Sequence, residues 1–245
     1  MKETVREAGS GARADRGIGR LWGWWGIVFV VAFVASIAAG SVLNAGESLY
    51  LPEASVTQLR DFYSANGTAV LAQSALQVLA AIALYRFGYR LRAALRPGGT
   101  RAAAGVGWGS ALAAAALLAS VVCSLALMEV VTVAGDTVIA GLGKAALVLG
   151  GPIHLLGSGI LITAASAAAW RSDRRPRWVF GYGRFGGPLV GASALSIVLP
   201  PLVRPEPAFR LLAAVWLVGL GIGVLRGRLA DIRVSQPSPR TGGQA

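Results

Sequence analysis

Residues 118–135, LASVVCSLALMEVVTVAG, decide how this chain is read. Of these eighteen residues, seventeen are apolar, small or hydroxyl-bearing, and the exception is Glu129. They belong to a longer uncharged run, 106–133, broken only by that carboxylate. A helix needs roughly 20 apolar residues to cross the hydrocarbon core of a bilayer, so this run is long enough to span. Further runs at 21–43, 68–84, 145–170, 187–203 and 208–225 approach or exceed that length, the second, fifth and sixth being short. The pattern predicts an all-α polytopic membrane bundle of six transmembrane helices.

Composition points the same way. The 245 residues are 55% hydrophobic and 14% charged, with a mean hydropathy of +0.61. A soluble domain carries about 25% charged residues. The net charge of +12 would suggest nucleic acid if it covered one face of a soluble domain. Here it is distributed by loop. Nineteen of the 23 basic residues fall in four clusters, around Arg6–Arg20, Arg86–Arg101, Arg171–Arg184 and Arg226–Arg240, leaving only Arg60, Lys144, Arg204 and Arg210 between them. Retention of Lys and Arg on the cytoplasmic side of a cell membrane produces such alternation. The expectation is six crossings, both termini cytoplasmic, no nucleic-acid partner, and anionic lipid headgroups attracted to the arginine clusters. Trp22, Trp24, Trp25, Trp108, Trp170 and Trp178 fall near the same boundary, where amphipathic rings are favoured, and only Trp216 sits deep inside a run.

The organisation is one domain. Residues 1–19 form a basic cytoplasmic tail, 20–233 the six-span domain with an outer loop at 44–66, and 234–245 a polar tail expected to be disordered. In the outer loop, Pro52 and Glu53 suit the first turn of a helix. Val56, Leu59, Phe62 and Tyr63 then repeat at helical spacing, predicting a short amphipathic helix on the outer surface. A single cysteine, Cys123, precludes an intramolecular disulfide or a cysteine-based metal site. The GYGRFG at 181–186 matches the dinucleotide fingerprint in letters only, since no βαβ unit presents it. Gly219 and Gly223 form a GxxxG spacing suited to close helix packing. No cofactor and no metal are expected.

Function is sought among the polar residues that the membrane makes costly. Glu129 lies near the outer end of the third run, and His154, the only histidine, lies nine residues into the fourth. Antiparallel neighbours place both in the outer half of the membrane. Gln73 and Gln77 follow Asn66 along one face of the second run, Ser158 is one turn beyond His154, and Arg210 enters the sixth run. Arg210 or His154 is the expected partner of Glu129. The segment LGGPIHLLGSG surrounds His154 with glycines, and Pro152 cannot donate to the carbonyl of Val148, which predicts a bend there.

The stretches PEASVTQLRDFYSANGTAVLAQSALQVLAAIALYRFGYRLRAALR and RSDRRPRWVFGYGRFGGPL resemble uncharacterised bacterial multi-pass membrane proteins of the domain-of-unknown-function type. The resemblance covers about half the chain and implies architecture only. Three functional readings stay open. The polar cluster lines an outward-facing cavity that binds or transports a small hydrophobic or polar molecule. Alternatively Glu129 is a general acid or base acting on a lipid-soluble, isoprenoid-like substrate, with His154 or the glutamines positioning it. In the third reading these groups only pair with one another in an accessory membrane subunit. The chain has no Walker motif, no HExxH and no paired acidic motif of a prenyltransferase, which weighs against an enzyme.

Overall fold

A computed structural model describes residues 21–43, 54–96, 100–171 and 177–227. Within them the chain is helical throughout. A 3₁₀ turn leads into α1 (Trp24–Val42). Then come α2 (Val56–Ala65), α3 (Gly67–Leu95), α4 (Thr100–Val130) and α5 (Asp136–Val148). A π-helical turn, Leu149–Ile153, joins α5 to α6 (His154–Arg171), and α7 (Arg177–Ala192) follows. Two short 3₁₀ segments, Ser193–Ile197 and Pro200–Val203, precede α8 (Glu206–Leu225).

Six of these helices close a ring: α1 packs on α3, α3 on α4, α4 on α6, α6 on α7, α7 on α8, and α8 returns to α1. Leu84, Phe87, Leu117, Leu161, Phe180 and Trp216 fill its centre, all fully buried. Large apolar side chains such as Val31, Leu79, Val122 and Leu211 point out of the ring and stay exposed, an arrangement that hydrocarbon tolerates and water does not. Small residues let the backbones touch. A Cβ added at Gly157 of α6 would lie 2.8 Å from the carbonyl oxygen of Gly109 in α4. Gly219 of the GxxxG pair serves the same purpose inside the chain, facing the Trp178 ring of α7.

Five helical stretches are long and apolar enough to cross a membrane: Leu21–Val42, Gly67–Leu95, Arg101–Val130, Asp136–Trp170 and Pro201–Leu225. The run at 187–203 is not a continuous helix. Its helix starts earlier, at Arg177, and gives way after Ala192 to a 3₁₀ turn that ends at Ile197, with a second beginning at Pro200. The proline pair 200–201 explains the break between the two 3₁₀ segments, because Leu199 must leave the helical region before it, at φ −115° and ψ 86°. Arg177 and Arg184 hid the true start, since a charged first half lowers the hydropathy of the segment. The GYGRFG stretch lies within α7 and is helical.

The helix expected from Pro52 begins instead at Val56. Ser55 and Gln58 form a reciprocal cap, with the Gln58 amide donating to Ser55 Oγ at 3.2 Å and the Ser55 amide donating to Gln58 Oε1 at 2.9 Å. Leu59 and Tyr63 turn into a second apolar cluster with Val70, Leu127, Val131 and Ile139, which seats α2 on α3, α4 and α5. The expectations for residues 1–19, 44–53 and 234–245 lie outside the described residues.

Candidate functional site

Opposite the arginine-rich end, α1, α3, α4 and α5 separate to leave a cavity of about 210 Å³ beneath α2. Its position along the bundle follows from helix direction. Gln77 precedes Arg92 in α3 by a rise of about 22 Å, so cavity and basic cluster sit at opposite ends. Gln73 and Gln77 line it from α3, Ser120 and Ser124 from α4, Ala146 and Leu147 from α5, and Gly150 from the π turn. Phe33, Ile37 and Gly40 close the α1 side, Phe62 and Tyr63 reach in from α2, and Arg210 comes from the first turns of α8. Burial pushes the Tyr63 phenol above its ordinary pKa, with the Ser124 hydroxyl beside it acting in the other direction.

Among the described residues Arg210 is the one ionic group on this wall, and its partner is not Glu129. Its Nη2 donates to Glu206 Oε1 at 2.7 Å, one helical turn away, and lies 3.5 Å from the Gly150 carbonyl. The Glu206 side chain is 6% exposed and that of Arg210 30%. The carboxylate fits because Gly151 has no Cβ where Oε1 sits. The π turn supplies this seat. Pro152 lies inside it, so the predicted disturbance at Pro152 takes the form of a wider turn. Ser120 Oγ donates to the Ala146 carbonyl at 2.8 Å just before it, satisfying an acceptor beside the opened helix.

The other expected residues divide. Gln73, Gln77 and Arg210 converge on the cavity. His154 lies one layer deeper, 3% exposed, with its Nδ1–H donating to the Ala113 carbonyl at 3.1 Å. Its ring is stacked against Phe33, centroids 5.7 Å apart, and tilted against Phe29 at 5.9 Å. Phe33 thus stands between His154 and Arg210, whose guanidinium lies 5.6 Å from the same ring. Ser158 is buried in the core, its hydroxyl without a partner among the described residues. Glu129 is exposed, outside the cavity lining, and makes no ion pair among the described residues. Helix geometry accounts for this. Glu129 follows Ser124 by five residues, about 140° around α4 from the face that lines the cavity.

Two kinds of residue escaped the sequence reading. Glu206 carried a signal, the i,i+4 spacing to Arg210 in PEPAFR. Phe33, Ser120 and Ser124 carried none, because apolar and hydroxyl residues are ordinary in spanning helices. Among the described residues no group of His, Cys, Asp and Glu has the arrangement of a metal site. No family model, curated protein or solved structure matches the chain.

Proposed function

We propose that this protein is a six-span cell-membrane protein with both termini cytoplasmic, and that the cavity under α2 binds a small molecule from the outer side. Six crossings require α7 to count as a span. Its α-helical part rises about 24 Å and the following 3₁₀ turn about 10 Å more, comparable to the hydrocarbon thickness. The basic clusters at the far end of the ring support the orientation. α2 then lies at the outer surface, as its polar exposed face, with Thr57, Gln58, Asp61 and Ser64, favours.

The observation that carries the binding reading is convergence. Residues from six separate helices meet at one cavity that mixes amide, hydroxyl and guanidinium groups with aromatic walls, the composition of small-molecule sites. Below Gln77, α3 continues through Ala80, Leu84 and Phe87, all fully buried, so binding without passage is the reading favoured over transport. The enzyme reading draws no support from this cavity, because no carboxylate lines it among the described residues.

The volume suits a single ring with a polar substituent, since an apolar cavity of about 150 Å³ already admits benzene. Benzamide is therefore a suitable probe. Purified protein should bind it, measured as a concentration-dependent rise in melting temperature. Ser124→Phe, which fills the cavity, should weaken that binding by about tenfold or more. Equal binding by the filled variant would place the probe elsewhere and overturn the reading.

A further inference from the structure

Granting that the cavity binds a ligand, the charge on its wall bears on what kind. Among the described residues Arg210 is the only ionic one lining it, and no described Asp or Glu shares the lining. Glu206 neutralises the arginine formally but stands behind it, buried against Gly151 and outside the cavity. The pair is therefore an oriented dipole with its positive end toward the cavity.

The hydrogen bonds sharpen this. Both contacts of the guanidinium, to Glu206 and to the Gly150 carbonyl, come from Nη2. Arginine has five N–H donors, so those on Nε and Nη1 stay available, with no hydrogen-bond partner among the described residues. The Phe33 ring under the guanidinium and the Glu206 carboxylate behind it hold the group in place, so little side-chain freedom remains to be lost on binding. Serine hydroxyls do not compete as donors at every point. Ser41 and Ser120 spend their protons on the carbonyls of Ile37 and Ala146.

We infer that the cavity selects a ligand with an anionic head, a carboxylate or an equivalent oxyanion, seated on Arg210, with an apolar body the size of one ring lying against Phe33 and Phe62. Glu206 is a positioning residue in this arrangement, fixing the direction of the guanidinium without touching the ligand. The glutamine amides of α3 supply neutral hydrogen bonds to the rest of the molecule.

The test compares three probes of one shape, benzoate, benzamide and benzylamine, on the full-length protein in neutral micelles near pH 7, by shift in melting temperature and by calorimetry. Charge-assisted hydrogen bonds are roughly twice as strong as neutral ones, so benzoate should bind about tenfold tighter than benzamide, and benzylamine weakest. The variant Arg210→Gln combined with Glu206→Gln removes both charges together and leaves no buried charge alone. It should fold and should bind benzoate and benzamide about equally, and Arg210→Lys should keep part of the preference. Should benzamide bind as well as benzoate in the wild type, and only Ser124→Phe abolish both, the cavity is a site but the anion inference is wrong. If neither probe responds to Ser124→Phe, the site itself fails. A final arm identifies the source of the anion. Adding phosphatidylglycerol to the micelles leaves benzoate binding unchanged when the natural ligand is a free organic acid, and competes with it when the ligand is a lipid headgroup. An undiminished benzoate preference in the double-glutamine variant overturns the role of Arg210 outright.

Discussion

Glu206 and Arg210 show how much one side chain's direction matters in a poor solvent. Removing one member of a buried pair leaves the other charge without compensation, which costs far more than losing a surface contact. Arg210→Ala should destabilise the protein by about 2 kcal/mol, below the range for a fully buried pair because Arg210 keeps part of its side chain exposed. Adding Glu206→Gln should recover more than half of that loss in a detergent thermal melt, while Glu129→Gln on the same background should recover nothing. A rescue by Glu129→Gln instead would mean that the two groups meet. The sequence contained both carboxylates, and nothing in the hydropathy of the third run marks the one that matters. The angular offset of Glu129 from Ser120 and Ser124 becomes meaningful only once the cavity face of α4 is known. The four-residue spacing of Glu206 to Arg210, by contrast, could be read directly.

Among the helices, the contacts that set the ring are those where side chains are missing. At Gly157 an added methyl would press on the backbone of Gly109, which cannot move aside as a flexible side chain would. Gly157→Ala should lower stability by about 1–3 kcal/mol, the usual cost of overpacking. Gly141 in α5 is the control, being exposed with open space around it. There the same change should be neutral or raise stability by up to about 1 kcal/mol through helix propensity. Equal melting temperatures for the two variants would show that α4 and α6 do not approach as described. The existence of the long helices was legible from apolar run length, and so was the disturbance at Pro152. The ends of α7 were not. Its basic first half reads as a loop by hydropathy, and the apolar sequence continues past Ala192, where the α-helix gives way to a 3₁₀ turn.

At the scale of the whole molecule, the number of crossings fixes where the C-terminal end lies. In a Cys123→Ser background, a membrane-impermeant thiol reagent applied to intact cells should label Thr57→Cys on α2. It should miss Arg96→Cys at the end of α3 and Arg226→Cys at the end of α8. Labelling of Arg226→Cys together with Thr57→Cys would mean an odd number of spans, with α7 lying on the surface. The expectation of this orientation rests on the arginine distribution along the sequence, whereas the closure of six helices into a ring was not legible there. Closure depends on which helix faces meet, and long runs that are apolar on every side do not show a preferred face.

With α7 crossing, its apolar reach from Phe185 to Ile197 rises about 22 Å, taking about 1.5 Å per α-helical and about 2.0 Å per 3₁₀ residue. The hydrocarbon beside it is about 30 Å thick. Arg184, whose guanidinium lies 5.6 Å over the Trp170 ring, can reach back toward the headgroups and recover part of the difference. The rest falls to the lipid. Around α4, whose apolar stretch at 106–128 rises about 35 Å, the mismatch has the opposite sign. The annulus around this protein would therefore be uneven, with short acyl chains gathered along α7 and longer ones along α4.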